Sequence, residues 1–197
     1  MQATKPQLLS PAYLEEKHQA GLTYADYLAT GTDDQQANWR RIYDSVGLTH
    51  HQHELVGAFT RRLNVICLSG IWCGDCVQQV PLIQHIAEAN GDAIDLRFLD
   101  RDEHADLQAQ VTINAGNRVP VLIFCAEDYE FVSWFGDRTL SRYRAMANKQ
   151  LGGACPLPGA PVAQDELDAT LQDWLDEFER VHLLLRLSGR LRQKHGD

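Results

Sequence analysis

An α/β fold with a mixed sheet is predicted by three features of the sequence. The run LNVICLS at 63–69 is short, continuously apolar and rich in β-branched residues, as in a strand buried on both faces. A helical pattern and a second strand pattern, AIDLRFLD, follow it directly, which implies a parallel crossover. The later runs 119–125 and 130–135 are separated only by a tight turn at Glu127-Asp128, which implies an antiparallel hairpin. A length of 197 residues suits one core with appended helices.

Each element can be justified in order. Residues 1–60 read as an N-terminal helical extension. Ser10-Pro11 has the form of an N-cap followed by proline at the first helical position, and Gly21 ends the helix. Thr23 caps a second helix towards Gly31, and Asp33 or Asp34 opens a third in which Trp39, Ile42, Tyr43 and Val46 share a face. Thr49 and Gln52 have capping-box spacing for a fourth, HHQHELVGAFTRR.

The α/β part spans 61–150. After the first strand, Val77, Val80, Ile83 and Ile86 recur at helical spacing from Cys76 to Asn90, before Gly91. A short helix is expected around HADLQAQV, and the hairpin closes at Gly136. A helix from Leu140 to Gln150 ends the domain, and residues 151–197 hold a Gly/Pro-dense linker and an amphipathic C-terminal helix. In that helix Leu167, Leu171, Trp174, Phe178, Val181 and Leu185 form a stripe that must be buried, on the same core or, alternatively, in a homodimer or partner groove through the terminal helices.

Composition narrows the function. With 18 Lys and Arg against 27 Asp and Glu, the net charge of −9 repels polyanions, so nucleic acid is not an expected partner. No apolar run approaches the roughly 18–20 residues that span a bilayer, so no membrane partner is expected. The N-terminus has no basic region followed by an apolar stretch and a cleavage site, and a cytoplasmic location is expected. Five cysteines without a secretion signal point to thiols that are reduced, catalytic or metal-bound.

The chemistry is concentrated in Trp72-Cys73-Gly74-Asp75-Cys76, a C-x-x-C where a buried strand ends and a helix begins. Unpaired backbone N–H groups and the helix dipole stabilise a thiolate there, which makes Cys73 the attacker and Cys76 the resolver in disulfide exchange. Half of a structural zinc site is the competing reading, but it needs a second ligand pair, and the sequence has no second C-x-x-C. Cys67 and Cys125 fall in buried strands, where cysteine packs as a small apolar group, and Cys155 is a linker thiol. His50, His51 and His53 with Glu54 could share a helix face, yet polar residues in a capped first turn account for them. The run Asp100-Arg101-Asp102-Glu103-His104 reads as a solvated loop and helix start that could fringe the site.

These residues carry a family resemblance. Together with WCGDC, Pro81 lies five residues after Cys76, Val119-Pro120 opens the third strand and Phe135-Gly136 ends the hairpin. Across about 63–136 the chain therefore resembles the thioredoxin superfamily. Its helical N-terminus and LDRDEH run are similar to a bacterial thioredoxin-like branch with the WCGDC motif. The resemblance implies a thioredoxin-like fold and thiol-disulfide exchange on protein or small-molecule disulfides. Electrons would come from a reductase or a low-molecular-weight thiol, with no metal or organic cofactor. It also implies a cis peptide at Val119-Pro120 facing the cysteines, whose backbone pairs with substrate. Trp72, Arg118, Val119, Pro120 and Gly136 would border a shallow recognition surface.

Two positions depart from the family. Cys67 stands where thioredoxins carry a buried carboxylate, six residues before the first cysteine, and a neutral thiol is a poor substitute for that base. Asp75 stands where proline is common between the cysteines. Its carboxylate is expected to oppose the helix dipole and make the dithiol a weaker acid, with Arg118 as the residue that could offset it. The competing function classes are a thioredoxin-fold module holding a metal or iron-sulfur cluster, and a non-catalytic interaction protein.

Overall fold

The structure, a computed structural model, describes residues 9–151 and 166–197. Four short helices come first. α1 (Pro11–Ala20) is capped by Ser10 with proline in its first turn, and the Gly21 N–H closes it on the His18 carbonyl at 3.0 Å. α2 (Tyr24–Ala29) is capped by Thr23. α3 (Asp33–Ser45) is capped by Thr32 and not by either aspartate: Thr32 and Gln35 form a reciprocal capping box, and Asp33 and Asp34 occupy the first turn, where the dipole favours acids. α4 (His50–Gly57) has the expected Thr49/Gln52 box but stops short of the expected end, and Phe59 turns into the core to stack on His182 at 4.3 Å.

The sheet follows. β1 (Leu63–Ser69) leads into α5 (Gly74–Ala89), which contains Pro81, and then β2 (Ile94–Asp100) and the single turn α6 (Ala105–Gln108). β3 (Val121–Cys125) and β4 (Phe131–Gly136) form the hairpin, and α7 (Leu140–Leu151) leaves it. β3 begins after Pro120, which has no N–H to give the ladder. The strand order is β2-β1-β3-β4, with β1 and β2 parallel and the other pairs antiparallel, so the sheet is mixed as expected.

Register sets up the site. β1 is central and buried at every position. Cys67 pairs with Phe98 and Ser69 with Asp100 on β2, while Val121 pairs with Gly136 across the hairpin. Because side chains alternate, Cys67, Ser69, Phe98 and Asp100 all project from the same face. On that face the Tyr27 ring stacks on Phe98 at 5.6 Å and meets Trp39 edge-on at 5.8 Å.

α8 (Glu166–Leu187) packs against α5, α7 and β4. Its stripe is core: Leu171, Trp174, Phe178, Val181 and Leu185 are buried, Phe178 meets Phe124 edge-on at 5.2 Å and Trp174 meets Phe135 at 5.1 Å. A final helix that the sequence reading did not anticipate, α9 (Gly189–His195), is capped by Ser188, ends at the left-handed Gly196 and buries Leu191. The linker with Cys155 lies outside the described residues. Among the described residues no helix is long and apolar enough to cross a membrane.

Candidate active site

β1 delivers the chain to a turn at Gly70–Trp72, where the Cys73 N–H donates to the Gly70 carbonyl at 2.9 Å and the buried Trp39 indole N–H donates to the Ile71 carbonyl at 3.0 Å. Cys73 is the N-cap of α5, which puts its sulfur near the unpaired N–H groups of the first turn, although it makes no full side-chain cap bond with them. The Cys73 thiol is thereby lowered to about 6. The main cause is the hydrogen bond from the Cys76 thiol, with the backbone N–H groups of Cys76 and Asp75 adding to it against partial burial and the Asp75 charge. Cys76 is fully buried, and desolvation first, then the Cys73 sulfur, raises it well above the ordinary thiol range. One sulfur is thus held as a thiolate and the other as a thiol. Facing them, the Val119–Pro120 peptide is cis, as the resemblance implies, and the Val119 carbonyl lies 3.8 Å from the Cys73 sulfur.

Asp75 does not stand alone against the thiolate. Arg138 binds both its oxygens, at 2.9 and 2.5 Å, and Arg142 adds a contact at 3.1 Å. Arg142 also pairs with Glu166 at the start of α8. The expected offset from Arg118 is not what the fold uses, because Arg118 turns to Asp137 at 3.0 Å. Asp137 is almost fully buried and also accepts from Arg138 at 3.3 Å and the Tyr143 hydroxyl at 2.5 Å. Its carbonyl accepts from Gln79 at 2.9 Å, and the Gln79 side-chain oxygen accepts from the Trp174 indole at 3.2 Å. Three carboxylates, Asp75, Asp137 and Glu166, and three guanidiniums therefore neutralise one another beside the cysteines, tied by Gln79 to the core of α8. The Asp75 charge does oppose ionisation of Cys73, as its place between the cysteines leads one to expect, but the hydrogen bonds from Cys76 and the backbone outweigh it and the net displacement of Cys73 is downwards.

The surface around Cys73 is open. Trp72 is 48% exposed and carries the Arg101 guanidinium 4.5 Å above its ring, while Arg101 donates to the Asn117 carbonyl at 2.7 Å. Beside Trp72 and Gly74 lies a cleft of about 450 Å³, walled by Ile42 and Arg41 of α3, Val77 of α5 and Leu167 of α8. On the other side Gly136 runs so close to the proline loop that a Cβ there would sit 2.3 Å from the Pro120 carbonyl oxygen. Glycine at 136 is thus required by close backbone approach.

A family model described as thioredoxin matches residues 21–149. The chain belongs to the thioredoxin family. Among solved structures, this thioredoxin-family chain is similar to a protein of unknown function from Pseudomonas aeruginosa, 18% identical with a TM-score of 0.65, over 84% of this chain and 96% of that one. It is also similar to an HIV epitope-scaffold, 16% identical with a TM-score of 0.61, over 83% of this chain and 97% of that one. Both likenesses concern the fold. No curated protein matches the chain.

In this thioredoxin-family fold Trp72, Cys73, Gly74, Asp75 and Cys76 follow one another into the start of α5, and the Val119–Pro120 peptide lies beside Cys73. Arg118 binds Asp137, and Gly136 packs its backbone against Pro120. Cys67 is fully buried under the site, where desolvation alone raises its thiol, and burial likewise pushes Cys125 up to about 12. His50, His51 and His53 are exposed at the far end of the N-terminal helices, where His50 meets Glu54 at 3.3 Å. Sequence reasoning missed Asp137, Arg138, Arg142 and Gln79. The signal was present in GDRTLSRYR directly after the hairpin, a charged run next to a strand end, but nothing in it names Asp75 as a partner.

Proton linkage follows from the Cys73 shift. An unfolded cysteine holds its proton up to about 9, while the folded Cys73 has lost it above about 6, so between these values the unfolded chain binds more protons. The stability of the reduced protein is therefore expected to rise with pH across that window and to fall again on acidification through 6. Oxidised protein, with no thiol at position 73, lacks this slope. Urea unfolding of both forms at several pH values checks it, and parallel slopes would contradict the assignment.

Proposed function

We propose that this protein is a thiol-disulfide oxidoreductase that reduces disulfides through the Cys73/Cys76 dithiol. The observation that carries the reading is the split between the two sulfurs: Cys73 lowered to about 6 at the start of α5, Cys76 buried and protonated one helical turn on. The Cys73 thiolate attacks one sulfur of a substrate disulfide, and the other sulfur leaves as a thiolate. Cys76 then attacks Cys73, the mixed disulfide breaks, the second substrate sulfur leaves with the electron pair, and the protein is left with a Cys73–Cys76 disulfide. Attack needs a thiolate at working pH, and a thiol near 6 supplies it over the neutral range.

Substrates in this reading are protein or small-molecule disulfides. An extended segment of substrate lies along the Val119 backbone beside Cys73, and the cleft at Trp72 receives a neighbouring side chain. A reductase or low-molecular-weight thiol returns the electrons. The test is a redox titration with alkylation and mass mapping of each cysteine, run beside metal analysis of the same sample. A reversible two-electron transition confined to Cys73 and Cys76, near roughly −270 mV or below, is expected for a reductase. No reversible transition, or stoichiometric metal in fresh protein, would overturn the reading.

A further inference from the structure

At neutral pH, resolution requires Cys76 to give up a proton from a site shielded from bulk solvent. Cys76 is fully buried, and a thiol raised by desolvation must pass its proton to a neighbour as it attacks. Cys67, on the sheet face beneath it, is a buried thiol that holds its own proton. The neighbours that remain are two hydroxyls. Ser69 and Tyr27 are buried, at 0% and 1% exposure, and neither the Ser69 Oγ nor the Tyr27 hydroxyl has a hydrogen-bond partner. Buried polar atoms left open in this way call for a reason.

Their placement supplies one. The Ser69 hydroxyl faces both the Cys76 thiol, where it favours the thiolate, and the Tyr27 phenol. In the sheet register Ser69 lies directly beside Asp100, and the two side chains share a face. Tyr27 and Asp100 both line a cleft of about 290 Å³ whose rim carries Glu103 and His104. The Asp100 carboxylate is held in place by the backbone N–H groups of Asp102, at 2.8 Å, and Glu103, at 3.4 Å. The buried thiol, two hydroxyls committed to no other partner, and the Asp100 carboxylate thus lie near one another on one side of the sheet.

We propose that Ser69 and Tyr27 relay the Cys76 proton to Asp100 during resolution. The proposal rests on the dithiol reading above. As the Cys76–Cys73 bond forms and the bond from Cys73 to substrate breaks, the electron pair leaves on the substrate sulfur. The Cys76 proton passes to the Ser69 oxygen, the Ser69 proton to the Tyr27 oxygen, the Tyr27 proton to Asp100, and Asp100 releases it into the cleft. Tyr27 stays neutral throughout, because burial holds its phenol above the ordinary range. The charged and titratable groups that face the relay are Cys67 from β1, Cys76 from α5, Asp100 from β2, and Glu103 and His104 from the turn, with Lys17 of α1 3.3 Å from the His104 ring. The run Asp100–His104 thereby acquires a role on the inner side of the site. Ser69 and Tyr27 are positioning and relay residues, and Asp100 is the acceptor.

Single-turnover reaction of the full reduced chain with an equimolar aromatic disulfide, dithiobis(nitrobenzoate), separates the steps. The first coloured thiolate reports attack by Cys73, and the second reports resolution by Cys76. Ser69→Ala, Tyr27→Phe and Asp100→Asn are expected to leave the first release unchanged and to slow the second by roughly tenfold or more at neutral pH. The second release should recover at alkaline pH, where hydroxide takes the proton. Unchanged first release doubles as evidence that each variant is folded. A second release at the native rate in both Ser69→Ala and Asp100→Asn overturns the relay, as does slowing that is the same at every pH. Failure of the unsubstituted protein to give the first release from Cys73 overturns the dithiol reading instead.

Discussion

Cys73→Ser is expected to reduce disulfide turnover to the uncatalysed background, whereas Cys76→Ser is expected to attack once and stop as a mixed disulfide on Cys73. The two effects differ because the sulfurs do different work. At neutral pH a serine hydroxyl is not ionised at the start of α5, so the first variant has no nucleophile. The second keeps the nucleophile, and its serine hydroxyl keeps a hydrogen-bond donor beside it, so Cys73 still attacks but no thiol is left to resolve the adduct. Mass mapping after reaction with a disulfide peptide should find the adduct on Cys73 in nearly every molecule of Cys76→Ser and in none of Cys73→Ser. Turnover that survives in Cys73→Ser would place the chemistry elsewhere.

Gly136→Ala is the second large effect. An added methyl meets the Pro120 carbonyl oxygen at 2.3 Å and the Val121 Cα at 3.1 Å, and both are backbone, so no side-chain rotation relieves the clash. Overpacking of this kind costs about 1–3 kcal/mol, and the loop it displaces carries the Val119 carbonyl that faces Cys73. Misplacing such a group by about 1 Å is expected to slow attack roughly a hundredfold. Gly74 is the control within the same site, since a Cβ there meets nothing within 4 Å and alanine is the better helix former. Denaturant unfolding of the two variants should give a lower midpoint for Gly136→Ala and no loss for Gly74→Ala. Equal midpoints would mean that the proline loop yields without cost.

Much of the framework was legible because its causes lie close together in the sequence. Ser10-Pro11, Thr23 and Thr49 with Gln52 announce helix starts through hydrogen bonds spanning a few residues, and LNVICLS announces a central strand by its composition. The stripe from Leu171 to Leu185 shows that one face of α8 must be buried, and the fold puts it on the core. Thr32 displaced the aspartates as the cap of α3 because its side chain completes a reciprocal pair with Gln35 that an aspartate one position later does not make. α9 escaped notice because it is short and only Leu191 among its residues is buried.

By itself the sequence determined the α/β elements, the C-x-x-C at a strand-to-helix junction, and therefore a pair of cysteines of which the first meets a helix start. The tertiary structure decided which charges the cysteines meet and which groups could take their protons. Asp75 finds Arg138 and Arg142, 63 and 67 positions away, instead of the expected Arg118, and Ser69 finds Asp100 across a strand register. Caps and hydrophobic periods act over one or two turns of chain and are written in neighbouring residues. Ion pairs and buried hydroxyls act through space, and their partners are set only when the sheet has fixed the path of the chain.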